Sequence, residues 1–203
     1  MSFESFQAVY GRWRAMLPAQ VGKLFAGCGF PWWIGGGWAV EAAGGRQRAH
    51  EDTDVVVLRR DLAEVRRQLG DYHLWQARDG FIKPLARADA IGEEISQLWL
   101  RRNASSPWEL DLLLTPTDGD DWLYRRENSV RRPVGSIGFL GVDGLPYLRP
   151  EIVLLFKAKL HRGKDQADFD ALLPQLSAEA REFLAASLHT TLPEHPWLVQ
   201  LRR

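Results

Sequence analysis

Apolar residues recur at three-to-four spacing through Phe3, Phe6, Val9, Tyr10 and Trp13, and again at Val21, Leu24 and Phe25. That spacing predicts a helix over residues 3–28, ended by Gly27 and Gly29. The pattern then shortens. Phe30 to Ile34 is an apolar run cut by Gly35-Gly36-Gly37, which reads as a strand entering a tight turn. Trp38 to Ala43 can form only a short helix, closed by Gly44-Gly45. Thr53 to Leu58 is β-branched and gives the strongest strand signal in the chain. Asp61 and Glu64 have the spacing of a capping box, with helix to Leu69 and a stop at Gly70. Tyr72–Gln76, Ile95–Leu100 and Trp108–Leu114 read as further strands, the last followed by an acidic turn at Asp118 to Asp121. Residues 130–148 are rich in glycine and proline, with a short strand-like piece at Ile137 to Gly141. From Pro150, which suits a first helical position, the pattern is helical over Ile152–Leu160, Gln166–Leu173 and Ala178–Leu188, with Ser177 as a cap.

The order is helix, mixed α/β core, then a helical C-terminal third, so an α+β fold is expected. At 203 residues the chain can bury a real core as one domain or one with an appendage. With 26 Lys+Arg against 26 Asp+Glu the net charge is zero, which argues against a general binder of nucleic acid or of membrane surfaces. A local basic groove stays compatible with that sum. One cysteine, Cys28, rules out an internal disulfide, and it reads as buried. With no apolar run of about 20 residues and no leader-like segment, a cytoplasmic protein is expected. His161, His189 and His195 lack zinc-ligand spacing, and no nucleophile elbow is present.

Candidate chemistry lies with the carboxylates. Acid-x-acid spacings are cheap: 26 acids in 203 positions predict about three by chance, and the chain has four. Asp118/Asp120 and Asp168/Asp170 read as a solvated turn and a helix surface. Asp52/Asp54 and Glu109/Asp111 differ, because each lies at an otherwise hydrophobic strand where an unpaired carboxylate costs several kcal/mol to desolvate. Side chains alternate along a strand, so Asp52 and Asp54 share a face, as do Glu109 and Asp111. If the two strands are neighbours, Asp52, Asp54 and Asp111 can converge on a hard cation such as Mg²⁺. Equally, Asp111 can pair with Arg101 or Arg102. The Gly35–Gly37 turn, between a strand and a helix, offers backbone N–H groups to an anion.

The stretch IGGGWAVEAAGGRQRAHEDTDVVV (residues 34–57) resembles the core of the nucleotidyltransferase superfamily to which polymerase beta belongs. The tryptophan after the glycines, the acid three residues later, Gly-Arg, and His-acid-Asp-x-Asp are similar to the aminoglycoside 2''-nucleotidyltransferases and their relatives. A weaker likeness extends to Asp111 and to PEIVLLFKAKLHRGKDQADFDAL (150–172), while residues 71–107 match nothing in the pattern. Glu41 stands where those resistance enzymes usually carry aspartate.

The resemblance implies an α+β fold in which a small mixed sheet is flanked by helices, with a nucleotidyltransferase core over 1–125. Residues 126–203 would then be a connecting segment and a C-terminal helical region. It implies transfer of a nucleoside monophosphate from an NTP, most simply ATP, to a hydroxyl of a small acceptor, with Mg²⁺ (or Mn²⁺) as cofactor. The expected catalytic and metal residues are Asp52, Asp54 and Asp111. Gly36, Gly37, Arg46, Arg48 and Lys157 are expected at the nucleotide, with Lys159 pointing elsewhere, and Glu41 and His50 at the acceptor. Each of these cations has a plain alternative as a solvated or loop charge, and His50 as a structural histidine. Two other functions remain open: a toxin-like transferase that modifies a protein or RNA, and a nucleotide-binding module without turnover. Trp75, Trp99 and Trp122 are candidates to stack on a base or sugar ring.

Overall fold

The computed structural model describes residues 8–202. The chain forms two compact units: the chain up to Ile34 with Ala49–Thr115, and Gly35–Arg48 with the chain from Pro116 on. The sequence expectation put a single boundary at residue 125, whereas here the glycine turn and the short helix after it belong with the C-terminal part.

In the first unit, β1 (Trp32–Ile34), β2 (Asp54–Leu58), β3 (His73–Arg78), β4 (Phe81–Leu85), β5 (Gln97–Arg101) and β6 (Leu110–Thr115) lie in the order β1-β2-β6-β5-β3-β4. The pairing of β2 with β6 is parallel and the other pairings among these six strands are antiparallel, so the sheet is mixed. Central position explains the composition of β2 and β6. Val55, Val57, Leu58, Leu110 and Leu112 are fully buried, as expected for strands covered on both faces. β4 was not foreseen. It is an edge strand, mostly exposed and holding Pro84, which only an edge tolerates. Helix α1 (Pro18–Leu24) buries Val21, and α3 (Leu62–Gln68) buries Val65. Asp61 stands at the N-cap of that second helix but makes no capping bond, so the expected capping box is absent.

The predicted N-terminal helix is broken. Phe3 and Phe6 lie outside the described residues. Residues 8–10 are helical, and Gly11 then takes a φ of 93°. The chain next runs extended beside residues 108–109: Arg14 N–H donates to Trp108 O at 2.8 Å and Met16 N–H to Glu109 O at 2.9 Å. Pro18 restarts the helix and holds Leu17 in the β region, as a residue before proline must be.

In the second unit, α2 (Gly36–Ala42) is followed, past β6, by a three-stranded sheet, β7 (Thr117–Asp118), β8 (Asp121–Tyr124) and β9 (Glu127–Pro133), and a hairpin, β10 (Gly138–Leu140) with β11 (Pro146–Leu148). Then come three longer helices, here α4 (Pro150–Ala158), α5 (Gly163–Leu172) and α6 (Ala178–Thr191), and a last turn at Trp197–Leu201. Pro150 opens α4 and Ser177 caps α6 by accepting from Ala180 N–H at 3.1 Å, both as expected. The core gathers Ile152, Leu154, Phe169, Leu184 and Trp197, with Phe169 and Trp197 stacked at 4.3 Å. Trp122, a stacking candidate, is instead buried and packs edge-on to Phe156. Among the described residues no helix is long and apolar enough to cross a membrane.

Candidate active site

Asp54 opens β2 and Asp111 is the second residue of β6, and the two are paired partners across the parallel ladder. Neighbouring strands lie about 4.8 Å apart, and paired residues project to the same face, so the two carboxyls are side by side. Asp52 lies two residues before Asp54 and is exposed, while Asp54 is half-buried and Asp111 is buried. The segment between is held from two directions. Thr53, fully buried, donates its hydroxyl to Met16 O at 2.6 Å, and its carbonyl accepts from Asp111 N–H at 2.9 Å.

Asp111 sits in a high-energy setting for a carboxylate. Burial pushes its carboxyl well above the usual carboxylate range, and the charges of Asp54 and then Asp52 push it the same way; Gln97 and Trp99 pull against them. The Gln97 amide donates to Oδ2. Oδ1 is buried with no hydrogen-bond partner. Neither arginine considered for Asp111 takes it: Arg102 reaches Glu109 at 3.6 Å, and Arg101 lies between the rings of Trp75 and Trp108, 4.2 Å from each. A cation would be favoured at this place, because an orphaned buried oxygen beside two further carboxylates offers hard oxygen donors. The residues therefore fit Mg²⁺ or Mn²⁺ by chemistry. Among the described residues, however, no three His, Cys, Asp or Glu side chains are gathered closely enough to hold an ion as they stand.

The other predicted residues belong, apart from His50, to the second unit. Gly36 takes a φ of 56°, open at little cost only to glycine, and Gly37 follows it in the first turn of α2. At the other end of α2, Gly44 N–H bonds Glu41 O and Gly45 N–H bonds Val40 O, a Schellman closure in which Gly44 has a φ of 86°. The Glu41 carboxylate accepts from Arg48 N–H at 2.8 Å. Arg46 is exposed and His50 half-buried.

Arg48 and Lys157 meet on one acid that the sequence reading had set aside as helix surface. Asp168, on α5, is 1 % exposed; Lys157 Nζ lies 2.9 Å and Arg48 Nη2 3.5 Å from its Oδ2. Lys157 also lies 3.5 Å from Asp165, which is fully buried and bound by Arg162 at 2.8 Å. Burial alone would raise Asp165, but the hydrogen bonds and charge of Arg162, with Lys157, hold it below the usual carboxylate range. The reading of Asp168/Asp170 as a helix surface is thus corrected for Asp168, whereas Asp170 is exposed as expected. Gly163 opens α5 earlier than foreseen and turns Asp165 and Asp168, three apart, to the inner side of the helix. Lys159 is exposed, as foreseen. Cys28 is half-buried rather than buried, its thiol donating to Phe30 O at 3.3 Å.

Gln97 is the residue sequence reasoning missed in the first unit; it lies in the stretch that matched no pattern. Trp99, directly opposite Asp111 on β5, and Trp75, opposite Trp99 on β3, continue the row Asp54-Asp111 across the sheet. Trp99 is 8 % exposed and packs on Trp13 and Trp108, so it serves as core rather than as a free stacking surface. A separate cavity of about 840 Å³ in this unit is lined by Arg14, Gln20, Lys23, Tyr72, Arg102 and Glu109, and holds none of the predicted site residues.

Residues 19–95 match the family model of aminoglycoside-2''-adenylyltransferases. Two solved structures share the fold. One is the crystal structure of ANT(2'')-Ia in complex with adenylyl-2''-tobramycin, at TM-score 0.56 and 14% identity, covering 85% of this chain and 97% of that one. The other is the solution structure of the antibiotic-resistance factor ANT(2'')-Ia, at TM-score 0.56 and 17% identity, covering 85% of this chain and 91% of that one. No curated protein matches the sequence significantly.

Proposed function

We propose that this chain, similar over residues 19–95 to the aminoglycoside-2''-adenylyltransferases, is a metal-dependent nucleotidyltransferase that moves a nucleoside monophosphate from an NTP, most simply ATP, to a hydroxyl of an aminoglycoside-like small molecule. The observation that carries this reading is the pairing of Asp54 with Asp111 across adjacent strands, with Asp111 dry and one of its oxygens unpartnered. Such a carboxylate is costly for folding alone and useful to a cation or a proton.

Asp52, Asp54 and Asp111 would hold the ion. Bound there, a divalent ion supplies charge neutralisation at the α-phosphate and the leaving pyrophosphate. Asp111, its carboxyl raised by burial, can alternatively accept the proton of the attacking hydroxyl. Backbone N–H groups at Gly36 and Gly37 and the cations Arg46, Arg48 and Lys157 are proposed for the triphosphate. Lys157 and Arg48 would do so while anchored on Asp168, which fixes their heads and lowers the entropy lost on meeting a phosphate. Glu41 and His50 are proposed for the acceptor.

The test is direct. The protein is incubated with Mg²⁺, each of the four labelled NTPs, and tobramycin among a panel of aminoglycosides and neutral polyols. Transfer of label to an aminoglycoside, strongest from ATP, is expected; no labelled product from any pair overturns the reading.

A further inference from the structure

We infer that Gln97 is a positioning residue for Asp111: it commits one carboxyl oxygen and so dedicates the other to the site. The inference rests on the reading of Asp111 as a site carboxylate. Gln97 is paired with Leu113 on β6, which makes Asp111 its diagonal neighbour rather than its opposite. A diagonal neighbour is about 7–8 Å away, reachable by a long side chain and beyond a short one. The glutamine spans that gap and donates its amide to Oδ2. Trp99, directly opposite Asp111 and packed on Trp13, walls the carboxyl on the β5 side. The carboxyl plane is thereby fixed, and Oδ1 is left buried and without a partner.

This arrangement differs from ordinary satisfaction of a buried acid. A carboxylate neutralised for stability meets a cation, as Glu109 does two residues earlier with Arg14 and Arg102, each at 3.6 Å. Among the described residues Asp111 meets only neutral donors, the Gln97 amide on Oδ2 and the Trp99 side chain, and no cation of the chain. A neutral donor orients without supplying charge, so the demand for a positive partner at Oδ1 persists. Partners that orient a ligand in this way typically change metal affinity or activity by about 10–100-fold when removed.

The test uses the full chain. Mn²⁺ binding is followed by paramagnetic resonance, and kcat and nucleotide KM are measured in parallel, for wild type, Gln97→Met, Gln97→Asn and Asp54→Asn. Methionine keeps the volume and loses the donor; asparagine keeps the amide and loses the reach. Both are expected to weaken Mn²⁺ binding and lower kcat by about 10–100-fold, with nucleotide KM within about twofold of wild type. The two variants are independent, so either one that melts like wild type decides the matter. Unchanged Mn²⁺ affinity and kcat in the folded variants, while Asp54→Asn abolishes binding, overturns the role of Gln97 and leaves the carboxylate site standing. Absence of Mn²⁺ binding in wild type overturns both.

Discussion

Two groups of charges in this molecule solve the burial problem in opposite ways. In the first unit, Asp54 and Asp111 stand side by side on neighbouring strands, with one buried oxygen unpartnered and Asp52 close enough to raise Asp111 further. In the second, Asp165 and Asp168 are as deeply buried, yet Lys157, Arg48 and Arg162 surround them within 3.5 Å. The second group is balanced by cations of its own chain, whereas in the first Asp111 keeps a buried oxygen without a hydrogen-bond partner. Burial of acids therefore does not mark a site; imbalance does. The second group is a scaffold that holds cations in place, and the first is where chemistry is expected.

The largest effect should come from breaking the unbalanced group. Asp54→Asn is expected to lower nucleotidyl transfer at least about a thousandfold, while in EDTA it melts at or above the wild-type temperature because a like charge beside Asp111 is gone. Activity and thermal melting on one preparation check both halves, and a large loss of stability would make Asp54 a structural residue. Breaking the balanced group should act on folding instead. Asp168→Ala strands Lys157 and Arg48 and is expected to cost about 3–5 kcal/mol in denaturant unfolding. If it unfolds the chain no more easily than wild type, the network has no scaffolding role.

A subtler contrast lies in pH. The folded-state value of Asp111 is raised above the ordinary 3.8, so in metal-free protein the native state keeps a proton that the unfolded chain has lost. Its contribution to stability then falls as pH rises from about 4 through the folded value. Asp165 is lowered, so its contribution is present above the ordinary value and lost as pH falls below it. Urea midpoints in EDTA across pH should show Asp111→Asn flattening the decline on the alkaline side and Asp165→Asn flattening the loss on the acid side. The same slope change in both variants would erase the distinction. The smallest effect is the helix-surface control: Lys159→Ala is expected to change stability by less than about 0.5 kcal/mol and leave transfer unchanged.

Much of this was legible in the sequence where local signals agree with tertiary demand. β2 was readable because its β-branched run is buried on both faces; α4 began at Pro150, and the turn at Gly36 needed a backbone that glycine allows. The pairing of Asp54 with Asp111 could be posed only as a condition, since register between strands 57 residues apart is a long-range fact. The N-terminal helix misled because Tyr10, ending one helical turn, and Trp13, on the extended chain past Gly11, keep helical spacing while both pack on Trp99. β9 left little trace, since most of its residues are exposed and polar. Asp168 looked like a surface acid for want of any local mark of its partners, which come from 11 and 120 residues away. Gln97 was hidden for the same reason, an ordinary polar residue given meaning by a diagonal contact.

Nucleotidyl transfer by Asp52, Asp54 and Asp111 makes product formation depend on Asp54 and on a divalent ion. That dependence is tested most directly by mass analysis of an aminoglycoside panel after incubation with ATP and Mg²⁺, comparing wild type with Asp54→Asn. Wild type is expected to give an adenylylated product, abolished by EDTA and missing with the variant. Product formed equally by both proteins, or by neither with any NTP, would contradict it.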